Sequence, residues 1–198
     1  MTVAVVDSGG ANISSVLHAL RRLGAEPQFT SDAADIAAAD RVILPGVGAA
    51  ANAMEVLRRN ALVEVLRTLE QPVLGICLGM QLLFESSAEG DATLLGLIPA
   101  RLERLAEQPG LRVPHMGWNA VSNLRQDSFT DGLDKKWFYF VHSYAAPIGD
   151  WTLSSSQHGI EFSAIVRQDN FYGAQFHPER SAGAGAELLR RFLESDLK

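Results

Sequence analysis

Short β-rich apolar runs alternate with stretches of helical periodicity through the first half of the chain. Thr2 to Val6 is β-rich and is closed by Asp7-Ser8-Gly9-Gly10, after which Ile13, Val16, Leu17, Leu20 and Leu23 recur at helical spacing. Asn12 stands where an N-cap belongs, and Gly24 where the helix should stop. The alternation returns with an extended segment near Glu26 to Thr30, then Arg41 to Leu44 ending in Pro45-Gly46-Val47-Gly48. A helical stretch from about Ala51 to Leu69, broken near Asn60, leads into the apolar run Val73-Leu74-Gly75-Ile76 and a further helix over Leu78 to Phe84. Buried strands alternating with helices predict an α/β fold: a mainly parallel sheet with helices on both faces.

From Ile98 the texture changes to strand-like runs between turn residues: Ala100 to Leu105, Trp137 to Tyr144, Trp151 to Ser154, Glu161 to Arg167 and Phe171 to Phe176. This half reads as more antiparallel. A last helix over about Ala184 to Leu193 carries Leu188, Leu189, Phe192 and Leu193 as a core-facing stripe. Ser86 to Thr93 reads as an exposed loop. No internal repeat or long linker divides residues 1–198, so a single domain is expected, and a chain of this length buries roughly 70% of its unfolded surface.

Composition narrows the classes of function. Seventeen Lys and Arg against 23 Asp and Glu give a net charge of −6, which argues against a nucleic-acid or acidic-membrane surface. Hydrophobic residues make up 47%, so a packed core rather than a disordered chain is expected. Cys77 is the one cysteine, which leaves no intramolecular disulfide and no multi-cysteine zinc site. The N-terminal apolar run meets Asp7 without the basic start and cleavage site of a signal peptide. A soluble cytoplasmic protein is the expectation.

The chemistry concentrates at three strand ends. Gly75-Ile76-Cys77-Leu78-Gly79 is a thiol version of the nucleophile elbow, in which flanking glycines relieve crowding at a tight strand-to-helix turn. There a helix N-terminus and a nearby imidazolium favour a thiolate. Phe176-His177-Pro178-Glu179 offers a base and its orienter. Pro178 keeps His177 out of the helical region, and in an extended chain His177 and Glu179 point to one side. Pro45-Gly46-Val47-Gly48 offers oxyanion donors: the N–H of Leu78 joined by that of Val47 or Gly48, the alternative being an ordinary strand-to-helix turn. The segment after the first strand lacks Gly-x-Gly-x-x-Gly, and the five histidines, with His18 on a helix surface, lack metal-ligand spacing.

Pro45-Gly46-Val47-Gly48, Gly75 to Gln81 and Gln175 to Glu179 together resemble the three signatures of the class I (triad) glutamine amidotransferases. Val113 to Asn119 and Tyr139 to Tyr144 further resemble the glutaminase subunits of imidazole glycerol phosphate synthases, and the likeness spans essentially the whole chain. The resemblance implies a flavodoxin-like α/β domain with an added antiparallel section that hydrolyses L-glutamine to glutamate and ammonia. It implies Cys77 as nucleophile, His177 as base and later acid, and Glu179 as its orienter. Gln81, His142, Ser143 and Tyr144 match glutamine-site positions. It also implies a separate (β/α)8 cyclase partner that makes imidazole glycerol phosphate and aminoimidazole carboxamide ribotide, with no metal or organic cofactor. Trp118, Tyr139 and Arg180 would lie at or near the docking face. Arg180 stands where the family usually has Lys, and Ala50 where an aromatic is common. Rival readings are an amidotransferase of another pathway, a redox-sensing protein with one reactive cysteine, and a stand-alone cysteine hydrolase. Pro114 to Asn119 speaks against the first, and His177 with Glu179 against the second.

Overall fold

The computed structural model describes residues 1–10 and 13–194; the expected N-cap Asn12 lies outside them. In chain order the elements are β1 (Val3–Val6), α1 (Ile13–Arg22), β2 (Pro27–Thr30), α2 (Ala33–Ala38), β3 (Arg41–Gly46), α3 (Ala50–Arg59), α4 (Leu62–Arg67), β4 (Val73–Cys77) and α5 (Leu78–Leu82). There follow β5 (Phe84–Ser87), β6 (Ala92–Thr93), β7 (Ile98–Arg104), β8 (His115–Ala120), β9 (Ser122–Asn123), β10 (Trp137–His142) and β11 (Tyr144–Ala145). The chain continues through β12 (Thr152–His158), β13 (Ile160–Gln168), β14 (Phe171–Ala174), a 3-10 turn (Pro178–Arg180) and α6 (Ala182–Glu194).

Eight strands form the main sheet in the order β2-β1-β3-β4-β14-β13-β12-β9. The first five pair in parallel, and β13, β12 and β9 extend the sheet antiparallel. Because successive strand residues face opposite sides, the inner strands feed two cores at once. Val3, Val5, Ile43, Leu74 and Ile76 pack with α1 and the Leu188, Leu189, Phe192 and Leu193 stripe of α6. Ala4, Val6, Val42, Leu44 and Val73 pack with α3, α4 and α5 on the other side. Beside this frame sit the ribbon β8–β10 and a small sheet in the order β11-β7-β5-β6. Among the described residues no helix is long and apolar enough to cross a membrane.

Several boundaries differ from the sequence reading. The helix after Cys77 ends at Leu82, not Phe84, because Phe84 turns into β5 and buries its ring there. The segment Ser86 to Thr93 is a β5–β6 hairpin rather than an open loop. The break near Asn60 is present, with Ala61 in the left-handed region at φ 55°. Helix α2 was not expected: it is held by Asp32, whose carboxylate accepts from the N–H groups of Ala34 and Asp35.

Candidate active site

The parallel strands β3 and β4 end side by side, with Gly46 opposite Cys77. Open α/β sheets bind ligands at this carboxyl edge. Cys77 itself has φ 53° and ψ −108°, a backbone state that costs of order 1–3 kcal/mol for a residue with a side chain. The turn is tight enough to exclude side chains on either flank. A Cβ on Gly79 would sit 1.7 Å from the Leu44 carbonyl oxygen, and one on Gly75 would sit 2.5 Å from that of Gly79. The glycines are therefore steric requirements of a helix that starts pressed against two strands.

His177 follows β14, its N–H donating to the Tyr139 carbonyl at 2.9 Å, so that β10 holds the imidazole segment in place. Its Nδ1 lies 2.9 Å from Glu179 Oε1. The pairing does not use an extended i, i+2 geometry: His177 is extended at φ −99°, but Pro178–Arg180 is a 3-10 turn that brings the carboxylate back to the Nδ1 edge of the ring. Both side chains are buried. Burial disfavours the charged imidazole, yet hydrogen bonds to Cys77 and Glu179 and their charges outweigh it and raise the pKa to about 10. Around the nucleophile, Cys77 Sγ lies 3.7 Å from the Val141 carbonyl, and Gln175 Nε2 donates to Sγ at 3.9 Å.

A cavity of about 320 Å³ opens over Sγ and is walled by Val47, Gly48, Cys77, Leu78, Gln81, His142, Ser143, Tyr144 and His177. Its volume is at the lower end of small-ligand sites, about 300–1,000 Å³. Gln81 is buried, and both its amide hydrogens are committed, to the Tyr144 carbonyl and to Gln175 Oε1, each at 3.0 Å. His142 likewise spends its Nδ1 on the Tyr144 carbonyl at 2.9 Å and its Nε2 on His115 at 3.0 Å. Burial, with the Tyr144 hydrogen bond opposing it and the neighbouring histidines reinforcing it, lowers the His142 pKa to about 3. Gly48 takes φ +98° with open space around it.

The structure adds Glu89, which the sequence reading missed, to the same wall. Its Oε2 accepts from the Ala50 N–H at 2.9 Å and so caps α3 from the tip of the β5–β6 hairpin. A lone carboxylate two residues past the paired serines Ser86 and Ser87 carries no signal in the sequence. Trp118, Tyr139 and Arg180 lie away from the cavity wall. Trp118 and Tyr139 face each other across the β8–β10 register with ring centroids 6.1 Å apart, and Arg180, exposed, ends the 3-10 turn that follows His177. Trp118 is 50% exposed, Met116 64% and Trp137 58%, all on this one ribbon.

Residues 4–195 match the family Glutamine amidotransferase class-I. The chain is 52% identical over 193 residues to "Imidazole glycerol phosphate synthase subunit HisH" of Xanthomonas euvesicatoria, covering 97% of this chain and 96% of that one. It is 52% identical over 197 residues to the subunit of the same name in Idiomarina loihiensis, covering 100% of both. In fold it is similar to a solved glutamine amidotransferase, with a TM-score of 0.75 at 21% identity over 97% of both chains. It is also similar to PurLQS from Thermotoga maritima, with a TM-score of 0.72 at 21% identity over 97% of both. With a cysteine elbow, a His–Glu pair and full-length likeness to HisH subunits, this chain belongs to the class-I glutamine amidotransferases and, within them, to the HisH family of imidazole glycerol phosphate synthase subunits.

Proposed function

We propose that residues 1–198 act as one cytoplasmic glutaminase domain that hydrolyses L-glutamine and passes ammonia to a (β/α)8 cyclase subunit in histidine biosynthesis. The observation that carries the reading is the convergence of Cys77, the His177–Glu179 pair and the Gly48 loop on one cavity. His177 takes the Cys77 thiol proton, and Sγ attacks the side-chain carbonyl of glutamine, forming a C–S bond and a tetrahedral oxyanion. His177 then delivers its proton to the departing nitrogen as the C–N bond breaks, releasing ammonia and leaving a γ-glutamyl thioester. A water attacks the thioester while His177 takes its proton; the C–S bond then breaks, glutamate leaves, and His177 returns the proton to Cys77 Sγ. Glu179 holds the imidazole in the orientation both transfers need.

The Leu78 N–H and that of Val47 or Gly48 stabilise the oxyanion. Glu89 offers an anion to the α-ammonium of the substrate, while Ser143, Tyr144 and the free carbonyl end of Gln81 line its path. The ring nitrogens of His142 are engaged within the chain, so His142 shapes the wall rather than donating to substrate. Trp118, Tyr139 and Arg180, with Met116 and Trp137, form the docking face: a partly exposed aromatic cluster suits the anchor residues of a protein interface, and the turn that carries Arg180 is hydrogen-bonded to β10 at Tyr139.

The test is ammonia release from glutamine by the free chain, by the chain with a cyclase subunit, and by that complex with its nucleotide ligand. The reading expects slow turnover alone and fast turnover in the liganded complex, because one lost oxyanion donor is worth about a hundred- to thousandfold in rate. No release in any state overturns it. Full activity in the free chain favours a stand-alone hydrolase.

A further inference from the structure

We propose that His115 is a positioning residue for the glutamine-binding wall, acting through a one-way chain of hydrogen bonds from Asn119 to His115 to His142 to the Tyr144 carbonyl. The proposal rests on the glutaminase reading above and adds two residues, His115 and Asn119, that touch neither the nucleophile nor the cavity.

The direction of the chain follows from what each atom can do. His142 Nδ1 lies 2.9 Å from the Tyr144 carbonyl oxygen, which can accept and not donate, so Nδ1 carries the proton. His142 stays neutral at working pH, hence its Nε2 is an acceptor. His115 Nδ1, 3.0 Å away, must then donate to it. His115 is neutral too, its pKa lowered to about 4 by burial and by the nearby His158, so its Nε2 accepts. The donor there is Asn119 Nδ2 at 3.3 Å, whose other hydrogen goes to the Gln157 carbonyl at 2.8 Å, while Asn119 Oδ1 accepts from the Ala120 N–H at 2.9 Å. Each of these atoms has one consistent role, which fixes both tautomers and the amide orientation.

The chain ends where it matters for substrate. The Tyr144 carbonyl accepts from His142 on one side and from Gln81 on the other, which uses both its lone pairs and locks the peptide between Tyr144 and Ala145. Segment 142–144 and Gln81 are thereby set relative to each other. The His115 ring is held for the task by stacking on His158 at 4.2 Å and on Phe140 at 4.8 Å. On β8 the chain residues His115 and Asn119 alternate with Met116 and Trp118, so the network lies on the back of the exposed ribbon face.

The test compares His115→Phe, which keeps a stacked ring and deletes the chain, with His115→Asn, whose amide N–H stands close to the lost Nδ1–H. Steady-state glutamine hydrolysis is measured with the full chain saturated by its cyclase partner and nucleotide ligand. His115→Phe should raise KM for glutamine about tenfold with kcat within about threefold, the size expected for loss of one buried hydrogen-bonded contact, and His115→Asn should recover most of it. Imidazole ¹⁵N spectra of the unsubstituted chain should show Nδ1-protonated tautomers at both His115 and His142. An unchanged KM in His115→Phe, a loss confined to kcat, or an Nε2-protonated His142 each overturn the proposal. If the unsubstituted complex releases no ammonia, the glutaminase reading falls while the spectra still decide the chain. If it is active and His115→Phe matches it, the positioning role alone falls.

Discussion

The elbow at the end of β4 and the ribbon β8–β10 wall the same cavity by different means. At the elbow, backbones do the placing: α5 begins so close to β3 that position 79 has room for hydrogen alone, 1.7 Å separating a would-be Cβ from the Leu44 oxygen. In the ribbon, side chains do it: Phe138, Phe140 and His142 turn inward while Trp137 and half-buried Tyr139 turn out, and Met116 and Trp118 follow the same alternation on β8. Cys77 is thus tied to the fold, whereas the cavity wall and the exposed face of the ribbon are decided residue by residue on a pleated surface. Substitutions in the two regions should differ in kind as well as in size.

The largest effect is expected from Cys77→Ala, which removes the thiol and little volume. Glutamine-dependent turnover should vanish while partner binding and ammonia-driven synthase activity persist; near-normal glutamine use would remove Cys77 from the mechanism. Next comes Glu179→Gln, which keeps the shape of the side chain and loses the charge that orients His177. A fall of about a thousandfold in kcat, with little change in KM, is expected by analogy with other catalytic triads. A rise in KM alone would make Glu179 a binding group.

Gly79→Ala sharpens the contrast from the side of the fold. Its Cβ meets backbone on an inner strand, so a loss of about 3 kcal/mol or more in urea unfolding is expected. An unaffected midpoint would mean that the elbow is not limited by backbone approach. Trp118→Ala should leave unfolding unchanged and weaken the cyclase complex by about 2 kcal/mol, read by titration calorimetry. If it unfolds the chain instead, the ribbon is as structural as the elbow.

The smallest effect is in pH. His115 and His142 are held neutral in the fold, at about 4 and about 3 against an ordinary 6.5. Between those limits the unfolded chain binds more protons than the native one, so stability is lost as pH falls below about 6.5. The urea midpoint should therefore drop between pH 7 and pH 5, and His115→Phe should flatten the slope. A slope unchanged by the substitution would remove His115 from the acid response.

The contrast also explains what could be read from the sequence. Strands β1, β3 and β4 are buried on both faces and read as apolar runs, and the elbow announces itself through paired glycines around Cys77. The His177–Glu179 partnership was legible as a spacing, though the 3-10 turn that makes it was not, because Pro178 is compatible with either geometry. Helix α2 leaves little hydrophobic trace, because Ile36 is its one large apolar residue and a polar cap does the rest. Strand β8 contains no β-branched residue, and its pairing with β10 is set by partners 17 to 27 residues away, from Ala120–Trp137 to His115–His142. Glu89 and the His115 chain depend on distant segments meeting, which no local pattern records.

The register that sets Gly46 opposite Cys77 has a mechanical consequence. Paired strands cannot slide by a fraction of a residue without giving up their ladder, and a slip of one would turn every side chain to the wrong face. Beneath the cavity, therefore, the floor is a fixed post. The motion the proposed gating needs is thereby confined to rotation about the torsions beyond Gly46, where Gly48 stands at φ +98° in open space. The proposed gate would then be a swivel on a bolted base, with the bolt drawn by two adjacent strands that end at the same level.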